Sequence, residues 1–132
     1  MIVGNTKGPN QLLKWTIDDA TFHEVQGALP QDHSDTMALA VADFDGDGMF
    51  EIVVGNFGDS NQLLFFAGNH KFEERNEAFP VDSTQTKAIS VADIDGDGKL
   101  DIIAGNLGQA NQIIRNKIVQ TTNTTDIRFK TL

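Results

Sequence analysis

The chain has 132 residues, a length that fits one domain, and 39% of them are apolar, enough to furnish the core of a sheet protein. Nineteen acidic residues against ten basic ones leave a formal charge of −9, which excludes a nucleic-acid partner, because such a partner needs a basic surface. There is no cysteine, so the fold rests on no disulfide, and no apolar run approaches transmembrane length, which argues against membrane insertion.

Met1-Ile-Val-Gly-Asn has no signal-peptide pattern and reads as a short strand over Ile2–Asn5. A second strand follows at Asn10-Gln-Leu-Leu and runs toward Trp15, which is expected to pack against a neighbouring unit rather than serve as a carbohydrate platform, since large aromatics mostly serve burial. Phe22-His-Glu-Val is a polar strand suited to a rim, where charge discourages edge-to-edge pairing. After the connection Ala28–Thr36, the strand Ala38–Ala42 puts Ala38, Ala40 and Ala42 on one face and Leu39 and Val41 on the other. Small residues there permit close approach to a crowded axis.

The acidic loop that follows places Asp43, Asp45, Asp47 and Glu51 at positions 1, 3, 5 and 9 of a turn. Ca²⁺ takes about 6–8 oxygens at roughly 2.3–2.6 Å, so alternate residues must point inward while the chain reverses. Gly46 and Gly48 supply the positive φ such a turn needs, and the carbonyl of Met49, at position 7, is expected to complete the shell. An EF-hand is excluded: position 12 is Val54 where a bidentate Glu is required, and strands rather than helices flank the loop. Fifty residues on, Asp93, Asp95, Asp97 and Asp101 repeat the pattern with Gly96, Gly98 and the carbonyl of Lys99. A plain Asp/Gly turn is the alternative, but four inward acids without a cation repel one another, and the pattern occurs twice. Asp101 closes its loop with a shorter side chain than Glu51, so on length alone Asp97→Ala should cost more calcium-dependent stability than Asp47→Ala.

The repeat reaches beyond the loops. Gly55-Asn56 and Gly105-Asn106 match Gly4-Asn5; Asn61-Gln-Leu-Leu and Asn111-Gln-Ile-Ile match Asn10-Gln-Leu-Leu; Phe72 with Phe79-Pro80 matches Phe22 with Leu29-Pro30. A period of fifty residues is that of a solenoid, propeller or array. Four strands fit one period, over Lys87–Ala92, Asp101–Gly105, Gln112–Arg115 (or Gln62–Phe66) and Lys71–Arg75, and four antiparallel strands per repeat make a propeller blade. The boundaries fall at about 1–36, 37–86 and 87–132 within a single propeller segment, so the chain carries nearly three all-β blades and its first blade lacks the inner strand. Lys117–Thr125 has no counterpart, and Thr124–Leu132 fits an outer strand in order.

These motifs resemble the FG-GAP/VCBS-type calcium-binding β-propeller repeat of integrin α-subunit heads and of many bacterial surface proteins, marked by Asp-x-Asp-x-Asp-Gly-x-x-Asp between a blade's first two strands. The Asn-Gln-Leu-Leu run and the following Phe-Glu-Glu are similar to the variant in cartilage-acidic-protein-like chains. The resemblance implies Ca²⁺ ligands at Asp43, Asp45, Asp47, Glu51, Asp93, Asp95, Asp97 and Asp101, with Glu51 departing from the usual Asp. Gly-Asn-Phe-Gly and Gly-Asn-Leu-Gly replace the family's own letters. Repeats of this type also imply a cell-adhesion or surface role.

Function then reads as a non-catalytic calcium-stabilised module for protein or glycan binding or assembly. There is no Gly-x-Ser-x-Gly elbow and no cysteine nucleophile, and the acids that could act in pairs are assigned to the loops. The rivals are a fragment of a propeller-bearing enzyme such as a polysaccharide lyase, and a lectin. His23, His33 and His70 have no metal-ligand spacing and are expected at the surface. Asn56, Asn61, Asn106 and Asn111 are expected to bond turns and strand ends, and Asn123-Thr-Thr is a glycosylation sequon. Calcium modules with affinities of about 10⁻⁴–10⁻³ M fill outside cells, which points to an extracellular or cell-surface location. Propellers close with about 4–8 blades, so a homo-oligomer is expected, preferably a dimer. In it, residues such as Leu39, Val41, Ile89 and Val91 line the faces between blades, and Thr124–Leu132 crosses to complete the partner's first blade.

Overall fold

The alternation of small and branched residues beside the acidic loops sets the fold, because a strand buried on both faces needs a neighbour on each. The computed structural model describes residues 1–75, 83–121 and 124–131; Phe79-Pro80 and Asn123 lie outside these. All described elements are strands, with no helix among them. The first sheet contains β1 (Ile2–Val3), β2 (Gln11–Thr16) and β3 (Thr21–Glu24) in that order. The second contains β4 (Thr36–Ala42), β5 (Glu51–Asn56), β6 (Gln62–Gly68) and β7 (Lys71–Glu74). The third contains β8 (Thr86–Ala92), β9 (Asp101–Asn106), β10 (Gln112–Thr121) and β11 (Thr124–Thr131). Every pairing is antiparallel.

Two apolar layers join the sheets. Ile2 and Leu12 of the first sheet meet Leu39, Ile52, Val54, Leu64 and Phe72 of the second, with Leu29 of the connection filling between them. Ala40, Ala42, Val53, Leu63 and Phe65 meet Ile89, Val91, Ile102, Ala104 and Ile114 of the third. The small face of β4 therefore lies toward β8, where branched side chains need room. Leu39, Ile89 and Val91 are consumed inside the chain rather than left on an open face, whereas Val41 stays 51% exposed.

A buried polar ladder runs beside these layers. Asn61 Oδ1 accepts from the Asn56 amide at 2.8 Å, and Asn61 Nδ2 donates to Thr86 Oγ1 at 2.9 Å. Thr86 Oγ1 in turn donates to Asn106 Oδ1 at 2.9 Å, and Thr36 Oγ1 donates to Asn56 Oδ1 at 3.1 Å. The recurring asparagines thus do bond strand ends, and Asn61 also ties the second sheet to the third.

Two expectations need correction. Trp15 is 49% exposed and meets Phe22 edge-on at 5.0 Å, because alternation along β2 turns it away from Leu12 and none of the described sheets covers that side. The C-terminal strand does not cross away: β11 pairs with its own β10 from Ile114↔Thr131 to Thr121↔Thr124. That long hairpin also absorbs most of the stretch without a counterpart, so the third strand runs to Thr121 rather than stopping at Arg115.

Candidate metal centre

Each acidic loop is closed by the last rung of a ladder. Ala42 pairs with Glu51 and Ala92 with Asp101, so the ninth loop residue is also the first of the following strand and turns back toward the loop. Gly46, Gly48, Gly96 and Gly98 have φ of 75°, 86°, 75° and 83°, the left-handed region the turn requires. Backbone amides fold inward on the carboxylates. Asp43 accepts from Gly46 at 2.7 Å and Gly48 at 3.0 Å; Asp93 accepts from Gly96 at 2.8 Å and Gly98 at 2.9 Å.

The result is two convergent sets. Asp43, Asp45 and Glu51 each bring a carboxylate oxygen within 4.8 Å of the others, and so do Asp93, Asp95 and Asp101. Asp47 and Asp97 stand outside these sets, accepting instead from the amides of Met49 at 2.7 Å and Lys99 at 3.0 Å. His23, His33 and His70 are all exposed, and none joins either set.

The loops differ in their surroundings. In the first, Phe44 is 2% exposed and wedged in the layer between the second and third sheets, and its amide donates to Glu51 Oε2 at 2.8 Å. Glu51 is itself 2% exposed. Burial, above all, raises its carboxyl to about 7; the Phe44 hydrogen bond works against this, and the charges of Asp45, Asp47 and Asp43 add to it. Asp45 is raised too, again mainly by burial. No ion pair among the described residues reaches Asp43, Asp45, Asp47 or Glu51. This half-buried cluster of hard oxygen donors, which no cationic side chain among the described residues reaches, fits a divalent ion of the calcium type.

In the second loop Ile94, the counterpart of Phe44, is 40% exposed. Two residues that the sequence did not assign to the loop act there. The Arg115 guanidinium pairs with Asp95, and its Nε lies 3.6 Å from Asp101 Oδ2. Asn116 donates from its amide to Asp101 Oδ1 at 2.9 Å and from Nδ2 to the Phe44 carbonyl at 2.8 Å, linking the two loops. Aligning the third strands would have exposed the difference, since Phe65 and Phe66 stand where Arg115 and Asn116 do.

No curated protein matches the chain. Residues 43–104, from the first carboxylate of one loop to the strand beyond the other, match a family model described as FG-GAP-like repeat. That match supports the FG-GAP family for this part of the chain and with it a propeller-like fold, although the described sheets of one chain close no ring.

Proposed function

We propose that the chain is a non-catalytic calcium-binding β-propeller module that acts in protein or glycan binding or in assembly. The observation that carries this reading is the convergence of Asp43, Asp45 and Glu51 within 4.8 Å, in a loop that no ion pair among the described residues reaches. Those three residues would hold Ca²⁺, with Asp47 and the carbonyl of Met49 completing the shell from the same turn. Asp93, Asp95, Asp97, Asp101 and the carbonyl of Lys99 offer the corresponding donors in the second loop. Ligands gathered only in the native state turn binding free energy into folding free energy, so the ion's role is to hold strands in place. The exposed Trp15 and Phe22 rings give the module an aromatic face on which a sugar can stack. A weak calcium module of this kind works outside the cell or at its surface.

Equilibrium dialysis against ⁴⁵Ca²⁺ tests the site. The intact chain should retain calcium, and Asp43→Asn combined with Glu51→Gln should lower retention by at least about tenfold, as loss of two ligand charges requires. Equal retention by both chains would place the ion elsewhere.

A further inference from the structure

The two acidic loops are repeats of one another, yet they are not balanced alike. The first holds Asp43, Asp45, Asp47 and Glu51 with Met49 at position 7 and Phe65 on the third strand. The second holds Asp93, Asp95, Asp97 and Asp101, but Lys99 replaces the methionine and Arg115 replaces the phenylalanine. Both substitutions bring positive charge. Lys99 Nζ lies 3.6 Å from Asp97 Oδ2, and Arg115 pairs with Asp95 while its Nε sits 3.6 Å from the buried Asp101 carboxylate. The Arg115 side chain is 17% exposed, and its Nε is buried and makes no hydrogen bond, so it is held there by charge rather than by a donor–acceptor match. Its counterpart Phe65 is 4% exposed in the apolar layer, carries no charge to offer the loop, and lies under Arg75 at 4.1 Å.

We propose that Arg115 is the resident counter-ion of the second loop: its guanidinium holds Asp95 and Asp101 together in place of a divalent cation, and calcium goes to the first loop. Only the second half of this statement rests on the calcium reading above. A guanidinium suits the task because it never deprotonates and spans two carboxylates at once. Calcium affinity follows the uncompensated charge of its ligands, so a loop that already contains two cations competes poorly. The order of the sites then reverses the one that side-chain length gives, with Asp47→Ala costing more calcium-dependent stability than Asp97→Ala.

Calorimetric titration of Ca²⁺ into the intact chain, together with melting in EDTA, tests the assignment on the natural chain and on Arg115→Gln, Arg115→Lys, Asp95→Asn and the double variant Arg115→Gln/Asp95→Asn. The natural chain should show one dominant site, and Arg115→Gln should tighten the second by at least about tenfold. In EDTA, Arg115→Gln should lower the melting temperature, Arg115→Lys should restore part of it, and adding Asp95→Asn to Arg115→Gln should recover more than Asp95→Asn gains alone. Two equal sites that Arg115→Gln leaves unchanged would overturn the proposal. So would an Asp95→Asn effect in EDTA that is the same with and without Arg115→Gln. If no chain binds calcium while the Asp95–Arg115 coupling persists in EDTA, the counter-ion assignment stands and the calcium reading of the first loop falls.

Discussion

Glu51 is 2% exposed beside two other carboxylates, and burial lifts its carboxyl from 4.5 to about 7. A carboxyl raised in the folded state stabilises that state while it stays protonated. For the metal-free chain this contribution is therefore full below pH 4.5 and lost as pH rises through about 7. Melting in EDTA should fall across that window, and Glu51→Gln should flatten the fall; a melting temperature that climbs from pH 4.5 to 7 would contradict this placement of the side chain. The converging loop carboxylates Asp43, Asp45, Glu51, Asp93, Asp95 and Asp101 were legible in the sequence because alternate acids with glycines between them recur fifty residues on. For Arg115 and Asn116 the repeat alignment shows only that they differ from Phe65 and Phe66; that they reach the loop from another strand is visible only in the fold.

At the scale of the elements, the strands and their order could be read from alternation and repeat, since the inner strands of each repeat place their apolar positions in the layers between sheets. The face of Trp15 could not, because its exposure depends on which sheet has no neighbour. How closely the second and third sheets approach is visible at Gly55, where an added Cβ would come within 2.9 Å of both Thr86 Cγ2 and Ile89 Cγ1. Real Cβ atoms do not pack so tightly, and the methyl and branched groups they would meet belong to the ladder and layer that join the sheets. Gly55→Ala should therefore cost about 1–3 kcal/mol, while Gly105→Ala, whose Cβ meets nothing closer than 3.6 Å, should cost less. Urea unfolding of the two variants measures the difference, and equal losses would mean the sheets do not approach as described.

At the scale of the whole molecule, several large apolar side chains remain exposed. Met1, Val41 and Phe50 are 59%, 51% and 61% exposed around a groove of about 410 Å³ between the first two sheets. On the far side, Leu107 and Ile113 are 54% and 36% exposed. Burying such surface at about 25 cal/mol per Å² drives association before the entropy of docking is subtracted, and closure of a ring by a second copy is the arrangement the proposed function expects. Sedimentation at micromolar concentration should show a dimer, and a well-folded monomer would rule out that closure. One measurement reaches the proposed calcium site most directly: thermal melting of the intact chain in millimolar calcium and in excess EDTA checked for residual metal. The melting temperature should rise in calcium by an amount that grows with its concentration, as RT ln(1 + [L]/Kd) requires, and Asp43→Asn should remove most of the rise. An identical melt in calcium and EDTA would contradict the account.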